Sequence, residues 1–423
     1  MGVPAHCTGR SPVTYTWPMN SLRGVVRATL ALAVAVSVGL AGCATPTPTP
    51  FREPAESPPP SEPAAAGVDL GDIAWVYTPP ASPLGGPEGA FTLQAGTLAD
   101  DEPIVNLRVP WRAELGGAVA REPAIGAPHR GAVVYVADDG AGSEVHRVEI
   151  AAGGADEVLA SLDDLIWDIV VAPDESAAYA VVVDRADPTR DLGVVRILLD
   201  GSGSVESILA PAQAGAADPV RSVAVLAFQI DLAISSDGRH LVRRTCQEAG
   251  ACVVEVVDVA TGRRLDLPDR EVLGVADGVI VARGCDVHGC RVEAMDFATG
   301  ATRSGDIDVS GPVVEVGGKP VIVAVVSDGR GTVTVEAVEP LSGRRSVLHR
   351  VPDGTDVAYG DFLFLQMDLP AGFVHVIEMT AVGDGGAVMG MDARHFLISV
   401  VEKRAVEIPA PAFSDPPGIG TQG

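Results

Sequence analysis

From residue 68 onward, short runs of valine, isoleucine and leucine alternate with glycine, proline and aspartate. No long stretch has the 3.6-residue period of an amphipathic helix, so the pattern predicts many short strands joined by tight turns. In the first half of the chain the predicted strands cover residues 73–77, 91–94, 104–109, 132–137, 146–150, 157–162, 166–172, 178–183, 194–199 and 205–209. Because 47% of the residues are hydrophobic but only 4% are aromatic, the core of this all-β chain is predicted to be mainly aliphatic.

One pattern of turns, strands and cysteines occurs twice between residues 231 and 300. Each copy has an Asp-Gly turn, a strand ending in a cysteine, a short loop, a second cysteine that begins a strand, and an Asp-x-x-Thr-Gly turn. The first copy contains Asp237-Gly238, Cys246, Cys252 and Thr261-Gly262, and the second contains Asp277-Gly278, Cys285, Cys290 and Thr299-Gly300. The second cysteines are 38 residues apart, and so are the Thr-Gly turns. A four-strand unit with a period near forty residues predicts a propeller blade.

The turn that opens each unit recurs along the chain at a similar spacing. Its positions are Arg130, Asp174, Asp237, Asp277, Gly318 and Gly360, which are 44, 63, 40, 41 and 42 residues apart. Two insertions, residues 185–192 and 211–222, account for the one long step. Six units are therefore visible and residues 68–111 supply a seventh. The fold is predicted to be a β-propeller of about seven four-stranded blades, with six or eight as the alternatives.

A β-sandwich or two small barrels would also contain many short strands, but the near-constant period favours a ring of blades. A ring also removes the exposed edges of a flat sheet. Its closure requires one blade shared by the two ends of the chain, so residues 68–77 are predicted to pair with the last strands, near residues 396–408. The predicted propeller covers residues 68–410. Residues 411–423 are predicted to be a flexible tail, although residues 418–423 fit Gly-x-Gly-x-x-Gly.

The Ser-Asp-Gly turn at residues 236–238 and the Asp-x-x-Thr-Gly turns at residues 258–262 and 296–300 resemble those of tryptophan–aspartate-repeat and related periplasmic propellers. The resemblance covers residues 131–348 well and the two ends of the chain poorly. It implies a propeller fold but no particular activity, because propellers of this kind serve many unrelated functions.

The amino-terminal residues have the order of a secretory signal. Arg23 and Arg27 precede 13 uncharged residues, 28–40, and the sequence Leu40-Ala41-Gly42-Cys43 follows directly. This apolar run is too short to span a bilayer, since a helix needs about 20 residues to do so. The Leu-Ala-Gly-Cys end resembles the bacterial lipoprotein box, whose cysteine receives a diacylglyceryl group after cleavage. Cys43 is therefore predicted to be lipidated, and a plain signal peptide is the alternative.

Residues 1–42 are thus the predicted signal peptide, with residues 1–18 as a non-native extension before a better start at Met19. Residues 43–67 are predicted to be a lipidated tether, because residues 44–66 contain eight prolines and proline stiffens the chain. The predicted location is extracytoplasmic, at the bacterial cell membrane. Beyond residue 42 there are 27 basic and 56 acidic residues, a net charge of −29. This charge argues against a nucleic-acid partner, since a phosphate backbone attracts basic surfaces.

The other four cysteines of the mature chain flank the loop between the second and third strands of two adjacent units. In an exported protein such pairs predict disulfides, and a short hairpin brings both α-carbons within bridging distance. The predicted bonds join Cys246 to Cys252 and Cys285 to Cys290, with pairing across the two units as the alternative. A zinc site formed with His288 is disfavoured, because it requires reduced thiolates outside the cytoplasm and no Cys-x-x-Cys occurs.

No local motif identifies a catalytic site, a cofactor or a metal. Gly-x-Ser-x-Gly, phosphate-binding loops and His-Glu-x-x-His are missing from the sequence. The Asp-rich loops at residues 138–139 and 184–191 are predicted to be solvated turns rather than calcium sites. The histidines after the signal are scattered, at His129, His146, His240, His288, His349, His375 and His395.

Two functional hypotheses of different class follow. The first is a non-enzymatic binding or scaffold module, which is favoured because the repeats occupy the chain and leave no attached catalytic domain. The second is an extracytoplasmic propeller enzyme, such as a glycan hydrolase or lyase or a quinone-dependent dehydrogenase, whose catalytic residues are dispersed. In a propeller, the loops from second to third strand and from blade to blade lie on one face. Both insertions and both cysteine pairs belong to these loops, which predicts a protein or envelope-polymer partner there.

Overall fold

The computed structural model describes residues 69–78, 90–111, 114–115, 119–120, 123–187, 190–211, 229–246, 252–268, 270–286, 289–305, 307–328, 332–359, 365–384 and 387–411. The predicted signal peptide, Cys43, the tether and the tail from residue 412 lie outside the described residues. Apart from one 3₁₀ turn at Leu70–Asp72, every regular element in the described part is a β-strand. The all-β prediction is confirmed.

The strands form seven antiparallel blades, numbered from the amino terminus, and the predicted count of seven is confirmed. Blade 1 contains β1 (Ala74–Tyr77), β2 (Ala90–Thr97) and β3 (Val105–Pro110), and the small hairpin of β4 (Glu114–Leu115) and β5 (Val119–Ala120) follows it. Blade 2 contains β6 (Ala132–Asp138), β7 (Ser143–Glu149) and β8 (Ala155–Leu162), with residues 124–126 bonded to the inner side of β6. Blade 3 contains β9 (Leu165–Val171), β10 (Ala177–Val183), β11 (Asp191–Leu198) and β12 (Val205–Leu209). Blade 4 contains β13 (Gln229–Ile234), β14 (His240–Cys246), β15 (Cys252–Asp258) and β16 (Arg264–Pro268).

Three further blades complete the ring. Blade 5 contains β17 (Arg270–Ala276), β18 (Val279–Asp286), β19 (Gly289–Asp296) and β20 (Thr302–Ser304). Blade 6 contains β21 (Val313–Val316), β22 (Lys319–Ser327), β23 (Val333–Val338) and β24 (Arg345–Val351). Blade 7 contains β25 (Thr355–Tyr359), β27 (Phe373–Asp384), β28 (Ala387–Ser399) and β29 (Arg404–Ile408). The remaining strand, β26 (Leu365–Met367), lies between β25 and β27 in the chain but belongs to blade 1.

The core lies in the seams between neighbouring blades. One cluster of buried aliphatic side chains joins blades 1, 2 and 3, and separate clusters fill the next four seams up to blades 6 and 7. In the last seam, Ile73 and Trp75 of blade 1 pack with Leu397 and Ile408 of blade 7. Burial of apolar surface is worth about 25 cal/mol per Å², so this continuous ring of seams is the main source of the stability of the fold.

The closure of the ring differs from the prediction. β1 pairs with β26, so that Trp75 lies opposite Met367 and Tyr77 opposite Leu365, and it does not pair with residues 396–408. The physical reason is that β25, β27, β28 and β29 already fill all four places of blade 7. The chain therefore leaves blade 7 after β25, supplies the innermost strand of blade 1, and returns as β27.

A chain of contacts around the axis reinforces this closure. Directly after β26, the Asp368 carboxylate accepts a hydrogen bond from the Arg130 amide at 2.7 Å and lies 3.3 Å from His129 Nδ1. The other ring nitrogen of His129 contacts the Pro173 carbonyl oxygen. These contacts connect the segment that contains β26 to blade 2 and then to blade 3. The late strand that completes blade 1 is therefore held by polar as well as apolar contacts.

The repeated Asp-x-x-Thr-Gly turn has a direct structural cause. The Asp258 carboxylate accepts hydrogen bonds from the amides of Ala260 and Thr261, and the Gly262 amide donates to the Asp258 carbonyl at 2.8 Å. Asp296 makes the same turn, and the hydroxyl and amide of Thr299 hold the pKa of this carboxyl below its usual range. Both turns end in a glycine with a φ near +70°, which other residues adopt at a cost.

The two faces of the propeller have different loops. The turn face carries the connections from first to second and from third to fourth strand, including all the described turns used to count the units. The loop face carries the connections from second to third strand and from blade to blade. The order β26-β1-β2-β3 makes β1 the second strand of blade 1, and second strands run from the turn face to the loop face. The described chain therefore enters at the turn face, where the Leu98 amide donates a hydrogen bond to the Ile73 carbonyl. Within the part of the chain that the structure describes, no helix is long and apolar enough to cross a membrane.

Candidate functional site on the loop face

The first insertion, residues 185–192, is attached firmly to blade 2. It joins β10 to β11, and its first residue, Arg185, reaches across the seam. The Arg185 guanidinium donates to the Asp163 carbonyl at 2.7 Å and to the Asp138 carboxylate at 3.1 Å. Asp138 is buried, so this ion pair is shielded from water on one side. The insertion therefore begins at a fixed point.

The other end of the insertion is attached to blade 4. The Asp191 carboxylate accepts a hydrogen bond at 3.2 Å from Arg243, which lies in β14 and is completely buried. Arg243 also bonds the Glu255 carboxylate at 2.5 Å and the Ala210 carbonyl at 3.2 Å. Ala210 immediately precedes the second insertion, residues 211–222. One buried arginine thus holds the end of the first insertion and the start of the second.

A third group of charged residues lies where blades 4, 5 and 6 meet. Glu271 of β17 lies 3.6 Å from the Arg283 guanidinium, which also donates to Asp308 at 2.7 Å. Burial raises the pKa of Glu271 above the usual value of a glutamate, although Arg283 and Arg244 both oppose this rise. A carboxyl with a raised pKa suits acid–base chemistry, but structural ion-pair networks shift pKa values too. We call these three groups, centred on Arg185, Arg243 and Arg283, the arginine clamps.

The cysteine pairs lie beside the third clamp and at the corresponding place in blade 4. Cys285 and Cys290 form a disulfide across the hairpin of β18 and β19. The register of β14 and β15 places Cys246 directly opposite Cys252, but the side chains of these two residues lie outside the described part. A Cys246–Cys252 disulfide stays a prediction. Peptide mapping without reduction checks it, and a fragment linking Cys252 to Cys285 would contradict it.

The histidines do not converge on one site. His129 is on the turn face, His146 lies 3.1 Å from Asp156, and His349 lies 2.7 Å from Glu378. His375 and His395 lie in blade 7, where Nε2 of the first is 3.0 Å from Nδ1 of the second. His288 lies outside the described residues. Among the residues that the structure describes, no three or more His, Cys, Asp or Glu side chains form a group that could hold a metal ion.

Sequence reasoning found the insertions but missed the clamps. Arg185 and Asp191 were included in an Asp-rich stretch that was predicted to be a solvated turn, whereas the structure uses both to contact neighbouring blades. The sequence contained one sign of the second clamp: Arg243 lies two residues after the buried Leu241, and therefore on the same side of β14. A charged residue at a core-facing position of a strand indicates a buried ion pair. The partner residues, however, come from other blades, and no local pattern shows them.

The solved structures that are similar to this chain resemble it weakly. No protein-family model matches the chain, and no curated protein matches it. Similar solved structures include TolB from Acinetobacter baumannii, with 12% identity over 76% of this chain and 77% of that one and a TM-score of 0.37. An oligogalacturonate lyase from Vibrio parahaemolyticus has 10% identity, coverage of 80% and 86%, and a TM-score of 0.42. A puromycin-hydrolyzing peptidase from Mycobacterium tuberculosis has 15% identity, coverage of 81% and 53%, and a TM-score of 0.47, so the chain spans about half its length.

Proposed function

We propose that this protein is a membrane-anchored extracytoplasmic lipoprotein whose propeller binds a protein or an envelope polymer without catalysing a reaction. The binding surface is the loop face between blades 2 and 4. The observation that carries the proposal is the attachment of the first insertion at both ends, through Arg185 and through Asp191. A loop that is only a tolerated insertion has no need of buried contacts to both neighbouring blades, whereas a binding loop gains affinity from being held in place.

The acidic character of the chain supports a location away from nucleic acid. Its net charge is −26, and exposed aspartates such as Asp139, Asp163 and Asp187 lie on the loop face. The partner of such a surface is expected to carry positive charge, because complementary charges speed association and exclude other partners. The membrane anchor is Cys43, which precedes the proline-rich tether. Two or more acyl chains hold a protein stably at a membrane, whereas one is marginal.

Shortening the second insertion should abolish partner capture. Replacing residues 211–222 with a four-residue turn leaves Ala210 and its bond to Arg243 in place, so the melting temperature should change little. The measurement is recovery of a cross-linked envelope partner from cells that express the wild type or the variant. The matched control alters the opposite face, with Thr261→Ala in the turn after β15. Capture that survives the shortening but is lost in the control would place the site on the turn face.

Removing the proposed anchor should release the protein. The variant Cys43→Ser cannot receive the diacylglyceryl group, so the chain should move from the membrane fraction to the soluble extracytoplasmic fraction. Fractionation with detection by an antibody measures this distribution. An unchanged membrane fraction in the variant would contradict lipidation at Cys43 while leaving the proposed loop-face function standing.

A further inference from the structure

The second and third strands of blade 7 are unusually long. β27 has 12 residues and β28 has 13, whereas the second and third strands of the other six blades have between four and nine. The two strands pair with each other from Phe373 opposite Ser399 to Asp384 opposite Ala387. The additional residues are at the loop-face end, because second strands run towards that face. The hairpin therefore projects about 14 Å beyond Thr380, the last residue of β27 that pairs with β25, at about 3.4 Å per residue.

The projecting part of the hairpin has free backbone edges. The inner neighbour β25 covers β27 only as far as Thr380, and the outer neighbour β29 covers β28 only from His395 to Ser399. Among the described residues, no strand pairs with the outer side of residues 387–394. A strand edge presents a row of backbone donors and acceptors that another extended chain can complete. This edge, residues 387–394 of β28, is called the hairpin edge.

We propose that the hairpin edge binds an extended, cationic peptide segment of the partner, which adds to blade 7 as a further strand. When a peptide adds to the edge of a sheet as a strand, its backbone hydrogen bonds provide affinity. Every second side chain of the peptide contacts the protein, and these contacts provide specificity. The inference rests on the proposed loop-face function and names the chemistry of its partner.

The charge of the hairpin selects the partner. Residues 380–392 contain Asp384 and Asp392 and no lysine or arginine. Arg394, at the base of the edge, is bound to Glu407 and lies 3.4 Å from Glu378, so its charge is compensated. A segment carrying lysine or arginine complements this edge, while an acidic segment is repelled.

Two other occupants fit the edge less well. The chain's own tail follows Ile408 in the sequence, but Pro409 and Pro411 lack the backbone donors that a paired strand needs. A second copy of the protein would bring the same acidic hairpin and a net charge of −26 to the interface. Pairing between two such copies is opposed by like-charge repulsion.

The test uses a fluorescein-labelled ten-residue peptide of alternating threonine and lysine, with fluorescence anisotropy as the readout. The wild-type protein should bind it at least ten times more tightly than a threonine–glutamate peptide of the same length. In the shortened variant, Asn-Gly replaces residues 382–390 and closes the hairpin at the pair Ala381 and Met391 with a two-residue turn. This variant should bind the lysine peptide at least tenfold more weakly, with an unchanged melting temperature. The charge-only variant Asp384→Asn with Asp392→Asn keeps both backbone edges. Its affinity for the lysine peptide should fall about two- to fivefold, mostly at low salt.

A measurement on the wild type alone protects the test against a variant that fails to fold. Hydrogen exchange at the amides of residues 387–394 should slow at least fivefold when the lysine peptide is added. Equal affinity in wild type and shortened variant, or protection confined to other residues, would overturn the proposal. Dimerisation in sedimentation that disappears on shortening would assign the edge to a second copy and would also overturn it. Envelope capture that requires residues 211–222 but not the hairpin would refute this inference and leave the proposed function intact.

Discussion

Replacing Arg243 with methionine should lower the free energy of unfolding by about 3–5 kcal/mol, the largest loss we expect from a single substitution in this protein. Arg243 is completely buried and bonds Asp191, Glu255 and the Ala210 carbonyl. Its removal leaves two nearly buried carboxylates without their main partner, although Arg264 still contacts Glu255. Urea denaturation of the wild type and the variant at pH 7 measures the difference.

An exposed arginine provides the matched control. Arg344 pairs with Glu339, but 78% of its side chain is accessible to solvent, so Arg344→Met should change the free energy of unfolding by less than about 1 kcal/mol. The variant Arg243→Lys keeps the charge and loses the planar fork of donors, and its stability should lie between those of the wild type and Arg243→Met. Equal losses for Arg243→Met and Arg344→Met would contradict the assignment of Arg243 as the central contact between blades 3 and 4.

Acidification from pH 7 to pH 5 should lower the free energy of unfolding by about 2 kcal/mol through His375. Burial, and to a lesser extent the neighbouring His395, lower the pKa of His375 from 6.5 to about 3. Burial also lowers the pKa of His395. The unfolded chain therefore binds protons below pH 6.5 that the folded chain does not. The stability from these neutral imidazoles is complete above pH 6.5 and is lost as the pH falls from 6.5 towards 3.

The position of the imidazole rings of His375 and His395 explains why their protonation is unfavourable in the folded protein. The neighbouring Leu397 packs against blade 1, so His395 and His375 face the seam between blades 7 and 1. Tyr77 lies on that side of blade 1, and burial raises the pKa of its hydroxyl, so it stays neutral throughout this range. Glu378 and Arg394 lie on the opposite side of the sheet.

Denaturation at pH 7, 6 and 5 measures the slope of stability with pH. The double variant His375→Gln with His395→Gln should have a smaller slope between pH 6.5 and 5, because glutamine does not titrate. Glu271 acts in the opposite direction, since its raised pKa makes the folded state gain stability as the pH falls towards 4.5. A full slope in the double variant would assign the acid sensitivity to groups outside this seam.

The repeated elements of this fold could be predicted because their causes are local. Asp277-Gly278 forms a two-residue turn in which both φ angles are positive, and this dipeptide is among the strongest local signals for a hairpin. The carboxylate of Asp258 accepts hydrogen bonds from the amides of the turn that follows it, so the same residue types recur wherever that turn recurs. The strand bounds were predicted unevenly: β12 was predicted as observed and β10 differs by one residue, but β2 is four residues longer than predicted.

The closure, the arginine clamps and the long hairpin could not be predicted, because each depends on residues from different blades. β26 is a three-residue strand, and nothing in Leu365–Met367 itself indicates that it pairs with a strand almost 300 residues earlier. The clamp partners Asp191, Arg243 and Glu255 are separated by up to 64 residues in the sequence. The repeat period in the sequence locates the turns of each blade, but it gives no information on side chains that contact a neighbouring blade.

The described chain enters at the turn face. Because fourth strands, like second strands, run from the turn face to the loop face, β29 ends at the loop face. If Cys43 is anchored as proposed, the tether would join the propeller at the turn face of blade 1, next to β1. The clamped loops lie on the face of the ring opposite to this attachment point. A fluorophore placed after residue 411 would then report encounters with the partner, and one placed just before residue 69 would report distance from the lipid.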